Sequence, residues 1–254
     1  MYRKFNLTDC DWTTEEQDAG LALTADYRHK IKTTLDQFLE DGKLNGTAMK
    51  STWFPEVKAD VFISHSRNDI AEALSLAGYL KQHFNLNAFL DFCVWGYADD
   101  LLKQIDNEYC KDKETGCYWY EMRNGSTSHV HMMLATALAT MLDSTECAIF
   151  LNTPNSINVK DSVEKTFSPW LYLELGLLRI LRPRDPGRFM NESLQAKRAT
   201  VNFAISYEVT TADLTVLSGE MLDAWSSTYK ELDDPALHAL DLLYKMAPGK
   251  QTTK

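Results

Sequence analysis

Asp60-Val61-Phe62-Ile63-Ser64-His65-Ser66-Arg67-Asn68-Asp69 is the stretch whose reading decides the fold. Together with Ala59, its first half is a short, apolar, β-rich run of the kind that fills a strand buried on both faces of a parallel sheet. Ser66 to Asp69 reads as a capping box, with a hydroxyl that can accept from the first helical amides and an acidic side chain three residues on that can reach back. Behind it, Ala73, Leu74, Ala77, Leu80 and Phe84 recur at helical spacing. Strand, turn and amphipathic helix in that order make the opening half of a βαβ unit.

Downstream the alternation continues. Ala88–Leu90 is a second strand and residues 99–109 a helix; residues 110–128 are polar and aromatic and read as an inserted loop or hairpin. Residues 129–143 are helical and Cys147–Leu151 is another buried strand. Ser168 before Pro169 places an N-cap ahead of a first-turn proline, opening a helix over 169–181. Residues 199–207 read as a final strand. Residues 210–213 then cap a helix carrying Leu214, Leu217, Met221, Trp225 and Tyr229, and a last helix covers 235–246. Upstream, Thr13 and Glu16 form a capping box before a helix with Leu21, Tyr27, Ile31, Leu35 and Phe38 on one stripe, ended by Gly42, with residues 41–55 as a linker.

Strands alternating with helices predict an α/β fold with a doubly wound parallel sheet over residues 57–209. An N-terminal helical extension (1–56) and C-terminal helices (210–254) flank it. In such sheets ligands bind outside the carboxyl ends of the strands, so the loops after Ile63, Leu90 and Leu151 should share one rim.

Composition narrows the function classes. The 254 residues carry a formal net charge of −10, which argues against binding a nucleic-acid backbone or an anionic membrane surface, since both need a surplus of Lys and Arg. The first residues, MYRKFNLTDCDW, hold no leader-type apolar run, and no apolar stretch reaches transmembrane length. The expected localisation is therefore cytoplasmic. Five cysteines without tight spacing read as reduced thiols.

Asp60–Ser66 resembles the first strand and turn of TIR (Toll/interleukin receptor) domains, and the segments after it are similar in order. A helix with Leu-Ala-Gly-Tyr-Leu leads to Phe89-Leu90-Asp91, then Trp95-Gly96 and Asp99-Asp100-Leu101. Later come the strand 148–151 with Asn152-Thr153-Pro154, and Ser168-Pro169-Trp170-Leu171-Tyr172-Leu173-Glu174-Leu175. The resemblance covers about residues 58–207 and implies a flavodoxin-like TIR fold. It further implies an NAD⁺ nucleosidase, a hydrolase or cyclase with Glu174 as catalytic residue and NAD⁺ as substrate rather than cofactor. Bacterial members of this kind often serve antiviral defence, assemble through TIR–TIR contacts and signal to a separate effector through a nucleotide messenger. Two departures stand out: residues 110–130 are longer than in a minimal TIR domain, and 92–98 lacks the Arg-Asp…Pro-Gly pattern of receptor members. The second favours the bacterial enzymatic kind.

The residues themselves carry part of that chemistry. Glu174 has Trp170, Leu171, Leu177 and Leu178 as its helical neighbours, with no Lys or Arg within a turn. A carboxylate on such a face requires a tertiary partner, a rim position or a cleft. The turn 64–69 opens a helix and suits a pyrophosphate, with Arg67 adding a charge-assisted bond and Ser64 a ligand contact. His65 is equally a ligand or a core histidine. Trp95 is a stacking candidate on a loop over 92–98, and Trp170 joins the substrate-binding set through the resemblance. Cys110, Cys117, His129 and His131 fit no compact zinc spacing, so no metal is expected. Two other readings remain: a non-catalytic TIR interaction module, and an enzyme of the nucleoside deoxyribosyltransferase kind.

Overall fold

The structure is a computed structural model that describes residues 1–25, 34–160, 163–166, 168–182, 184, 207–208, 210–234 and 236–248. In chain order its strands are β1 (Arg3–Thr8), β2 (Leu39–Glu40), β3 (Lys43–Leu44), β4 (Val61–Ser64), β5 (Ala88–Leu90), β6 (Cys147–Leu151), β7 (Asn158–Lys160), β8 (Val163–Thr166), β9 (Tyr207–Glu208) and β10 (Thr215–Ser218). Its helices are α1 (Thr14–Ala25), α2 (Gly46–Trp53), α3 (Ile70–Phe84), α4 (Phe92–Ile105), α5 (Tyr120–Ser144), α6 (Pro169–Ile180), α7 (Gly219–Leu232) and α8 (Ala239–Met246). The chain divides into two units, one of Met1–Leu23, Lys58–Leu90 and Leu142–Lys254, the other of Thr24–Val57 and Asp91–Met141.

The first unit is α/β, a five-stranded parallel sheet in the order β10-β1-β6-β4-β5 flanked by helices. The order β5-β4-β6 is the 2-1-3 start of a flavodoxin-like sheet, and the fourth place is taken by β1. The N-terminal segment is therefore not a purely helical extension. Its alternation, with Phe5 and Leu7 against Lys4, Asn6 and Thr8, is that of a strand with two unlike faces. Because paired residues share a face, Phe5, Ile149 and Thr215 look one way, while Asn6, Phe150 and Ser64 look the other. The Tyr244 ring of α8 stacks on Phe5 at 6.2 Å on the first face; α6 covers the second. Val61, Phe62, Ile63 and all of β6 are buried, each large side chain contributing about 1.5–3 kcal/mol.

Several elements differ from the sequence reading. The strand expected over 199–207 lies outside the described residues except for Tyr207, which pairs antiparallel with β8 in a separate three-stranded sheet. The sheet instead takes β10 from a segment expected to be helical. Leu214 and Leu217 satisfy helical spacing, but Thr215 and Val216 are β-branched and the run is too short for periodicity to decide. Helix α7 begins after it, with Ser218 Oγ accepting from the Met221 amide at 3.3 Å. The capping box at α1 is formed in both directions: Thr13 N–H donates to Glu16 Oε2 and Glu16 N–H to Thr13 Oγ1.

In the second unit, the expected linker holds a hairpin and a helix. Asp41 and Gly42 have φ of 49° and 75° between β2 and β3, the primed-turn geometry that Asp-Gly favours. Asn45 caps α2, which buries Met49 and Trp53. The expected loop 92–98 is the start of α4, whose Ala98, Leu101 and Ile105 are buried at helical spacing. The 110–128 insertion is only partly a loop. Lys111 bridges Tyr118 as in a hairpin, but α5 begins at Tyr120, and Ser126, Val130 and Leu134 are buried one turn apart. A π-helical turn over Asp106–Cys110 aims Asp106 at this helix, where it accepts from Ser126 Oγ at 2.5 Å and pairs with Arg123 Nε at 2.9 Å. Cys110 Sγ bonds Ser126, and burial pushes its thiol up.

Backbones of α1 and α3 touch where both carry glycine. A Cβ on Gly78 would meet Glu16 O at 1.8 Å, and one on Gly20 would meet Leu74 O at 1.9 Å. Gly78→Ala should destabilise the fold by about 2–3 kcal/mol or more in denaturant unfolding, whereas Gly125→Ala in α5, with nothing within 4 Å, should stabilise it by about 0.5–1 kcal/mol. Equal effects would contradict this packing. Replacing 112–117 by a short Gly/Ser turn should leave the unfolding midpoint nearly unchanged. Ser126→Ala, which strips a donor from buried Asp106, should cost about 1–3 kcal/mol in the same measurement.

Candidate active site

Ser64 ends β4 fully buried, and its hydroxyl donates to Glu174 Oε2 at 2.5 Å. Helix α6 delivers the carboxylate. Ser168 Oγ accepts from the Leu171 amide at 3.2 Å, Pro169 fills the first turn, and Leu171, Glu174, Leu175 and Leu178 form the buried face. Glu174 is 0% exposed, so the rim position open to it on sequence grounds is excluded. The other end of α6 is tied to the sheet as well, by Lys4 Nζ of β1 donating to Leu178 O at 2.7 Å. Burial lowers the Lys4 pKa, against the pull of Asp213.

The position is set by topology. From β4 the chain goes to β5 on one side, and from β6 it goes to β10 on the other. Loops that diverge from adjacent strands leave a crevice at their carboxyl ends, where α/β sheets hold ligands. The loop after β4 brings His65, 3% exposed, and Arg67, exposed. Trp170 is half-buried in the first turn of α6. Trp95 belongs to α4 of the second unit, and its side chain lies outside the described part. Of the residues singled out from the sequence, the structure thus brings Ser64 and Glu174 into contact, a pairing the sequence did not predict, and it adds Lys4.

Asp69 was also missed as a site residue. Ser66 Oγ accepts from the Asn68 amide at 3.3 Å and the Asp69 amide bonds Ser66 O at 2.9 Å, so these two donors of the turn are used internally rather than offered to a pyrophosphate. The Asp69 carboxylate, 1% exposed, crosses the crevice instead, accepting from Thr153 Oγ1 at 2.5 Å and Asn155 Nδ2 at 2.7 Å. Thr153 and Ser156 close the same loop on each other, Thr153 N–H to Ser156 Oγ and Ser156 Oγ to Thr153 O. The two loops bounding the crevice are thereby clasped together by charge-assisted bonds.

Two features lie at the opposite end of the sheet, by the amino ends of β4 and β6. A cavity of about 400 Å³ is lined by Asp60, Phe84, Leu86, Tyr229 and His238 among others, and Asp60 precedes β4, away from Ser64. Glu146, His238 and Asp241 place side-chain ligand atoms within 4.8 Å of one another. Tyr244 OH donates to Glu146 there, and the N-terminal amine exerts its charge on the same carboxylate. Cys110, Cys117, His129 and His131 join no such grouping among the described residues.

The clasp can be dissected by a double-mutant cycle. Asp69→Asn should cost about 1.5–3 kcal/mol of stability, since the amide replaces one of the two accepting carboxylate oxygens, each met by a different donor, with a donor, and Thr153→Val should cost less once Asp69 is already changed. Strictly additive losses in denaturant unfolding would show that the two side chains do not act as a unit.

Comparison with family models, curated proteins and solved structures gives no match for this chain.

Proposed function

We propose that this chain is a TIR-like enzyme that cleaves the nicotinamide–ribose bond of NAD⁺, releasing ADP-ribose or a cyclic relative. The observation that carries the reading is the fully buried Glu174 carboxylate, held by the Ser64 hydroxyl at the switch-point crevice of a parallel sheet. Breaking that bond passes through an oxocarbenium-like ribosyl cation. Nicotinamide leaves readily without an acid, so the site must supply a negative charge beside the cation and a group that orients the ribose hydroxyls. A desolvated carboxylate does both, because the surrounding low dielectric strengthens its attraction for the developing cation. The donated Ser64 hydrogen bond favours the ionised form of Glu174 against the desolvation that opposes it.

The remaining assignments follow from position. His65 and Trp170 border Ser64 and Glu174 in sequence; Arg67, exposed on the turn, suits the phosphates at the mouth. Trp95 is retained as a stacking residue, and a flavodoxin-like TIR core, self-association and a messenger to a separate effector belong to the same reading.

Purified protein incubated with NAD⁺ should release free nicotinamide. Glu174→Gln should keep the Ser64 bond and an unfolding midpoint close to wild type, while turnover falls by about a hundredfold or more, the scale of losing one preorganised electrostatic partner. Wild-type turnover by the Gln variant would remove Glu174 from the chemistry. A folded wild type that releases no nicotinamide would favour the interaction-module reading, and cleavage of deoxynucleosides instead would favour the deoxyribosyltransferase one.

A further inference from the structure

Asn6 is the polar residue of β1 that the fold buries without an evident reason. It is 7% exposed, and among the described residues no hydrogen bond reaches its Oδ1, an atom shut away from solvent. An unsatisfied buried carbonyl of this kind costs stability, and where a fold retains one it calls for an explanation. Register supplies the surroundings. Asn6 pairs with Phe150, and Phe150 with Ser64, so all three stand on one face at one level of the sheet. That face is the one α6 covers, fixed by Ser64 to Glu174 and by Lys4 to Leu178 O. With strands about 4.8 Å apart, Asn6 stands about 10 Å from Ser64 along the row.

We infer that Asn6 is a ligand-binding residue of the Glu174 site, its carbonyl kept unpaired to accept from an N–H₂ group at the part of the ligand remote from the ribose. The inference rests on the NAD⁺-cleaving reading, and it brings β1, outside the stretch that resembles a TIR domain, into the site. An acceptor fits because an unpaired carbonyl oxygen can receive a donor but offers none. A ribose held at Glu174 leaves two N–H₂ groups on NAD⁺ further out, the nicotinamide carboxamide and the adenine amine. A site with a buried unpaired acceptor discriminates strongly against analogues lacking the donor, since the group is then buried unsatisfied in the complex as well.

The test is Asn6→Leu, of similar volume, compared with wild type in thermal unfolding and in nicotinamide release. Removing an unpaired buried carbonyl should raise the midpoint by about 2–4 °C, while KM for NAD⁺ rises about tenfold and kcat changes little. The nicotinic-acid analogue of NAD⁺ and the hypoxanthine analogue each remove one N–H₂ group. Wild type should turn over one of them about tenfold less efficiently than NAD⁺, and Asn6→Leu should lose that preference. A lower midpoint or insoluble protein would show that Asn6 supports the fold, and an unchanged KM would show that it touches no ligand; either overturns the inference. If wild type releases no nicotinamide, the NAD⁺ reading fails, and the inference that Asn6 serves an N–H₂ group of NAD⁺ fails with it. A raised midpoint alone would then still show Oδ1 to be unpaired in the free protein, so the two failures remain distinguishable.

Discussion

The pairing of β1 is the constraint on which the rest of the first unit depends. Both of its edges are occupied, by β6 from Arg3 to Leu7 and by β10 from Phe5 to Thr8, so without it β10 loses its neighbour and β6 gains an open edge. Its two faces serve two layers. Phe5 carries Tyr244 and with it α8, while Lys4 holds the last turn of α6. The N-terminal amine donates to Asp143 O at 2.7 Å, fixing the strand at its start. Six residues thus fix the level of β6, which borders the crevice, and of β10 directly.

That placement explains why carboxylates can be buried there. An isolated carboxylate in the interior is strongly disfavoured unless donors meet it. Glu174 and Asp69 are both buried on the carboxyl rim, and each is met by a side chain from another segment: Ser64 for Glu174, Thr153 and Asn155 for Asp69. Two buried carboxylates make the rim a place whose field favours positive charge in a ligand. On the NAD⁺-cleaving reading proposed above, a pyridinium ring or a ribosyl cation would suit such a rim better than a phosphate, with Arg67, on the exposed turn, as the group proposed for the phosphates.

Sequence made part of this legible. The run from Val61 to Ser64 announced a buried parallel strand because both faces are apolar, and Ser168-Pro169 announced α6 because a cap and a ring-fixed φ act locally. Glu174 stood out because no partner was available within its own helix. What was hidden depended on distant segments. Asp69 looked like the second half of a capping box, and only the arrival of Thr153 and Asn155 from beyond β6 turns its carboxylate across the crevice. Arg3 to Thr8 has the alternation of a strand but no neighbour in sequence to pair with. Gly96 and Gly125 suggested loops, yet each sits in a helix with nothing near it, where glycine costs about 1 kcal/mol, an amount the buried faces of α4 and α5 readily outweigh.

The central place of β1 also shapes how the chain must fold. β1 is made before the other strands of its sheet, yet its partners β6 and β10 lie far along the chain, and the hairpins and helices between are made before it can dock. Contacts between such distant segments carry a large loop-closure cost that is met before any pairing returns it, so assembly of the sheet should be slow and the early strand should wait with both edges bare. A waiting strand with an apolar face is a hazard for pairing with other chains. Lys4 and Arg3, beside Phe5, therefore have a task before the native state exists: their charge discourages association while the strand is unpartnered, and on folding Lys4 gives up part of its hydration to the carbonyl of Leu178.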